Sequence, residues 1–249
     1  MPHPRIYFPQ PLEAGQRITL DEAPFRHVIQ VLRMGSGDKL TLFGGFGIEH
    51  AVQIETVGKR DFTVMVLSAD RVDRESPLQV ILAQAVAKGE RMDFAIQKSV
   101  ELGATGIMPL ITERCAVHLS AERWERKVEH WQSVVLSACE QSGRNRIPKV
   151  APVTDFRDWL SHAPAKARKL VLDPGAAATK PLTPTPKPSM VVLLIGPEGG
   201  FTDIEVKLAE VAGFEGVNLG PRILRTETAG LVALSVVQAL WGDFAVAAK

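Results

Sequence analysis

Apolar residues follow two regimes along the chain, and the change comes near residue 74. Before it, the runs DKLTLFGG, GIEHAVQIETVG and DFTVMVLSADRV are short and rich in Val, Ile, Thr and Phe. Glycine-bearing turns at 44–47 and 58–61 separate them. This pattern predicts strands. One short helix is predicted over 25–34, FRHVIQVLRM. Several short strands packed into residues 1–73 point to a small β-barrel. RESP, 74–77, reads as a linker.

Beyond the linker the period changes. LQVILAQAVA is a near-continuous apolar run, as expected of a strand buried on both faces. RMDFAIQKSVELG predicts a helix with Gly103 as its C-cap, and GIMPLIT the next strand. Trp124, Val128, Trp131, Val135 and Ala138 fall on one face of a helix predicted over roughly 121–140. RKLVLDP, VVLLI and EGVNLG predict further strands, and the Pro-rich TKPLTPTPKPS a loop. The last helix, roughly 227–241, is apolar almost all round and is expected to be buried. Alternating strands and helices give an α/β domain with a mainly parallel sheet over 74–249.

Composition narrows the function classes. With 45% hydrophobic and 23% charged residues, the 249-residue chain has the balance of a soluble globular protein. No apolar run reaches the ~18 residues of a membrane span. MPHPRIYFPQ has no apolar signal core, so a cytoplasmic protein is expected. Cys115 and Cys139 lack metal-ligand spacing and read as free thiols of a reducing compartment; no metal is expected. A net charge of +1 excludes a bulk polycation, so nucleic-acid binding requires a local patch. SGRNRIPK, 142–149, is such a patch, with Arg144, Arg146 and Lys149, although taken alone it reads more readily as a solvated loop.

Candidate chemistry gathers at strand ends. GPEGG follows VVLLI, and Thr202 with Glu205 has capping-box spacing before a helix. In open α/β sheets, ligands bind at such turns. The turn is neither G-x-G-x-x-G nor a P-loop, and it also reads as purely structural. NLGPRILRTETAGL crowds Arg222, Arg225, Thr226, Glu227 and Thr228 at a helix entry, where Thr226 or Thr228 suits an N-cap. VLDPG, 171–175, is a third strand-end loop.

The blocks HVIQVLRMGSGD, RMDFAIQKSVELG, ACEQSGRNRIP, LIGPEGGFTDIE and LGPRILRTETA occur in order over nearly the whole chain. Together they resemble the ribosomal RNA small subunit methyltransferase E family of 16S rRNA uridine-N3 methyltransferases in the SPOUT superfamily. The resemblance implies a PUA-like RNA-binding barrel over 1–73 and a trefoil-knotted methyltransferase domain over 74–249. It implies S-adenosylmethionine as cofactor, 16S rRNA or the small ribosomal subunit as partner, and a homodimer. A different SPOUT enzyme and a non-catalytic RNA-binding module are the rivals.

By the same resemblance, the cofactor would contact Leu172, Asp173 and Pro174 in the first loop. Ile195, Gly196, Pro197, Glu198, Gly199 and Gly200 would line the second, and Leu219, Gly220, Ile223, Leu224, Arg225, Thr226 and Thr228 the third. Arg225 would stabilise a uracil anion, and Glu198 or Glu140 would accept the N3 proton. Arg225, Glu227 and Glu198 also read as loop braces. Arg5, His27, Arg33, Arg144, Asn145 and Arg146 would face RNA, with Glu140 and Gln141 beside RNA or a partner subunit.

Overall fold

The computed structural model describes residues 3–173, 175, 182–184 and 186–244. The chain forms two compact units, Met1–Glu75 with Cys139–Ile147, and Ser76–Ala138 with Pro148–Lys249. A contiguous division near residue 74 leaves out the return of Cys139–Ile147 to the first unit. That segment is polar, and nothing in its composition marks it as part of an earlier unit.

In the first unit the strands Arg5–Tyr7, Lys39–Phe43, Ile48–Val57, Asp61–Arg71 and Arg17–Asp21 lie side by side in that order. The first pair is parallel and the others are antiparallel. Period-2 patterning sets the register. Val52 and Ile54 on one strand and Phe62, Val64 and Val66 on its neighbour point inward. With Ile6, Leu20, Val28, Leu40 and Leu42 they form the unit's core. Each fully buried Val or Leu contributes about 1.5–3 kcal/mol. Arg5–Tyr7 and Arg17–Asp21 are too short to show a period, so the sequence pattern misses them. The predicted helix at 25–34 begins earlier, at Glu22, and widens over Arg26–Val31. There Leu32 N donates to His27 O, five residues back.

The second unit is built on one parallel sheet. Its strands run in the order Glu215–Val217, Arg168–Leu172, Met190–Ile195, Gln79–Ala85, Gly106–Ile111, Lys149–Val150. Thr154–Asp155 also pairs with Gly106–Ile111. Met190–Ile195 is central, and Val191 to Ile195 are at most 1% exposed, as the unbroken apolar run requires. The helices are Glu90–Glu101, Ala121–Ser142, whose last residues from Cys139 belong to the first unit, Phe156–Leu160, Asp203–Val211 and Thr226–Trp241. Phe156–Leu160 is too short to show helical spacing, although Asp155 caps it by accepting from Arg157 N.

The last helix departs from its expected full burial. Ala233, Leu234, Val237 and Trp241 are buried, but Leu231, Val232, Val236 and Leu240 remain partly exposed. No helix among the described residues is long and apolar enough to cross a membrane.

Parallel pairing positions the site. The register places Leu172 beside Ile195 and also beside Val217. The three loops leaving those strands therefore emerge together at the carboxyl edge of the sheet.

Candidate active site

These three loops line a cavity of about 580 Å³. The first contributes Leu172 and Asp173, the second Ile195 to Phe201, and the third Val217 to Leu219 and Arg222 to Glu227. Most residues expected from the sequence come together here. Gly220 and Thr228 are not among the lining residues, and Pro174 lies outside the described residues. Arg91, Phe201, Val217, Asn218 and Ala229 join the lining without having been expected. Val217 and Asn218 directly precede the expected third loop, so the strand end was the available signal. Arg91 comes from a distant helix and gave none.

The second loop is shaped by its own glycines and by neighbours. Gly200 has φ +67, a conformation that side chains disfavour. A Cβ at Gly199 would lie 3.2 Å from the Cβ of Arg114, so the close approach there is to the protein itself. Arg114 Nη1 donates to Gly199 O at 2.9 Å and Phe201 O at 3.2 Å. The capping box is formed: Thr202 Oγ1 accepts from Glu205 N, and Glu205 Oε2 accepts from Thr202 N. Glu205 Oε1 also accepts from Glu113 N at 2.8 Å.

Glu198 is tied down. Its Oε1 accepts from Lys88 N at 3.0 Å and from Arg91 Nη1 at 2.9 Å. Burial raises its pKa, but the backbone amides of Lys88 and Glu198 and the Arg91 guanidinium outweigh that and hold it below the ordinary value. A carboxylate held ionised by these donors makes a poor base and a good brace.

The third loop is anchored from beneath. Thr226 Oγ1 donates to Gly196 O at 2.5 Å and accepts from Gln84 Nε2 at 2.8 Å. Gln84 is fully buried, so two cavity loops are joined through a polar contact inside the sheet. A polar break inside an apolar run gave no pattern to read. The helix begins with Arg225, not a threonine, at the N-cap position, and no side chain caps it. Thr226 spends its hydroxyl on Gly196 instead. Arg225 is exposed and makes no ion pair among the described residues. Glu227 Oε2 is buried without a hydrogen-bond partner among the described residues.

The remaining candidates belong to the first unit. Arg5 pairs with Glu49, donates to Asn145 Oδ1 at 2.7 Å and Arg144 O at 3.2 Å, and stacks 4.5 Å from the Phe43 ring centroid. Asn145 donates to Glu49 Oε1 and Val72 O, and Arg144 pairs with Glu75. Arg144 and Asn145 are 5% and 1% exposed, so these two side chains and Arg5 brace the unit from within. Glu140 Oε1 accepts from Tyr7 N at 3.0 Å. Burial raises its pKa against the opposing Tyr7 amide, His27 and Arg5. His27, Arg33 and Arg146 are exposed. Burial pushes the Cys139 thiol up to about 11, and both cysteines are free and buried.

Known proteins resemble this chain over nearly its full length. A family model for the RNA methyltransferase domain matches residues 74–238. The ribosomal RNA small subunit methyltransferase E of Buchnera aphidicola is 37% identical over 240 residues, covering 96% of this chain and 97% of that protein. A putative methyltransferase from Legionella pneumophila, solved in complex with the bound cofactor SAM, is 43% identical with a TM-score of 0.91, covering 98% of this chain and 100% of that one. A ribosomal RNA small subunit methyltransferase E from Neisseria gonorrhoeae, bound to S-adenosyl methionine, is 42% identical with a TM-score of 0.89, covering 97% and 99%.

Proposed function

The chain belongs to the ribosomal RNA small subunit methyltransferase E family, and on that premise we propose that it transfers a methyl group from S-adenosylmethionine to N3 of a specific uridine in 16S rRNA. The observation that carries this reading is the cavity of about 580 Å³ bounded by three strand-end loops. Its size falls within the ~300–1,000 Å³ typical of small-molecule sites. Leu172, Ile195, Leu219 and Leu224 supply apolar walls suited to an adenine ring. The backbone of Gly196, Gly199 and Gly200 supplies polar groups for the ribose and amino-acid parts. When bound, the cofactor supplies an electrophilic methyl group on a sulfonium.

The protein's own groups do the rest. The loops hold the two reactants in line, and such positioning contributes up to about 7–11 kcal/mol in well-oriented cases. Arg225 directs a cation toward the uracil oxygen where negative charge develops. Glu198 holds the second loop to Lys88 and Arg91. In the first unit, read as a PUA-like barrel, Arg33, His27 and Arg146 contact RNA. Arg5, Arg144 and Asn145 stiffen the segments that carry them.

The knot belongs to the same proposal. It is supported by the Trp241 indole donating at 2.9 Å to Thr183 O, in the segment between two adjacent strands of the sheet. That contact sets the end of the last helix beside Thr183. The partly exposed Leu231, Val232, Val236 and Leu240 form an apolar stripe suited to a second copy of the chain. Light scattering at micromolar concentration should give the dimer mass; a monomer mass would remove the homodimer from the account.

The reaction is tested with small ribosomal subunits from cells lacking this activity. Methyl-labelled cofactor and the full chain should place label on the rRNA, and calorimetry should detect cofactor binding by the protein alone. No binding and no transfer would overturn the proposal.

A further inference from the structure

We infer that Glu227 is the group that accepts the uracil N3 proton, an assignment that rests on the reaction proposed above. Three carboxylates line the cavity, Asp173, Glu198 and Glu227. Glu198 is occupied by Lys88 N and Arg91. Asp173 Oδ1 accepts from Gly175 N and folds back on its own loop. Glu140 belongs to the first unit and already accepts from Tyr7 N. Glu227 alone among these lines the cavity and has an oxygen, Oε2, that is buried and lacks a hydrogen-bond partner among the described residues.

A buried, unmatched acceptor costs roughly 1–3 kcal/mol, more when charged. Such a cost is met when a ligand brings the missing donor, and the uracil N3–H is a donor of the right kind. The helix Thr226–Trp241 packs on Met190–Ile195 and Gln79–Ala85, neither of which carries a titratable side chain, and on Glu90–Glu101, which brings Arg91 to the cavity. The charged groups sharing the cavity with Glu227 are therefore Arg91, Asp173, Glu198, Arg222 and Arg225.

The step balances. The N3 proton passes to Glu227 Oε2, and the N3 electron pair forms the bond to the methyl carbon. The carbon–sulfur pair returns to sulfur, discharging the sulfonium. Glu227 then gives its proton to solvent as product leaves.

The test uses the full chain carrying Glu227→Gln, which keeps shape and removes the base, and Glu227→Asp, which keeps a carboxylate. Cofactor affinity by calorimetry should stay within about twofold in both. Single-turnover transfer by Glu227→Gln should fall by about 10²–10⁴-fold. RNA carrying 5-fluorouridine at the target should restore at least about tenfold of that loss, because the fluorine makes N3–H more acidic and lessens the need for a base. Glu227→Asp should be slower than the wild type yet gain little from 5-fluorouridine. A Glu227→Gln rate within about threefold of wild type, or a loss that 5-fluorouridine leaves unchanged, would overturn the assignment. So would a tenfold loss of cofactor affinity with the saturated rate intact, which would make Glu227 a cofactor ligand. A wild-type protein that methylates a different nucleotide would instead overturn the underlying reaction.

Discussion

Arg225→Ala should slow single-turnover methyl transfer by about 10²–10³-fold, the size expected when one donor to a developing anion is lost. Cofactor affinity should change by no more than about twofold. The expectation follows from its setting. Arg225 lines the cavity, is exposed, and forms no ion pair among the described residues. Its guanidinium is therefore available to substrate. The rise of rate with pH should also move to higher pH, since the cation that eases loss of the N3 proton is gone. Arg225→Lys should recover only part of the rate, because a point charge lacks the planar fork. If Arg225 merely braced the loop, both variants would weaken cofactor binding and leave the pH midpoint in place. Rate against pH, measured beside calorimetry, separates the two roles.

Arg144→Ala should destabilise the protein by about 3–5 kcal/mol, because it strands the Glu75 carboxylate in a buried site. The two side chains of that pair are 6% and 12% exposed. Arg144 Nε also donates to both Glu75 oxygens, at 3.2 and 3.1 Å. Adding Glu75→Gln to Arg144→Ala should recover part of the loss, since the charge then no longer stands alone. Urea denaturation measures both. A variant with wild-type stability and reduced RNA affinity would return Arg144 to the RNA-facing surface that its sequence suggested.

Arg144 marks one limit of sequence reading. SGRNRIPK looks like a basic surface patch because it holds two arginines and a lysine and no acid. Its partners, Glu75 and Glu49, are some 70 to 96 positions away along the chain. Arg146 and Lys149 keep the expected exposure, Arg146 with Asp73 at 3.7 Å. Pairing over that distance leaves no local trace.

The parallel sheet was legible for the opposite reason. Burial on both faces forces every residue of VVLLI to be apolar, and the run writes itself into sequence. The Thr202–Glu205 box was legible because both partners lie within one helical turn. Glu198 was readable as a loop residue, but its bond to Arg91 joins two helical entries far apart in the chain. Gln84 was hidden most fully. A polar break within an apolar run shows no period, yet Gln84 links Thr226 to the body of the sheet. The cavity could thus be placed from its loops, while the choice among its carboxylates required coordinates.

Digesting the methylated rRNA to nucleosides separates uridine N3 from every other methyl acceptor. Small subunits from cells lacking the activity are incubated with the full chain and methyl-labelled cofactor, and the nucleosides are separated by mass spectrometry. Label is expected in 3-methyluridine, at close to one per subunit and at a single position. Label on another base, on a ribose hydroxyl, or spread over many uridines would contradict the assignment of uridine N3.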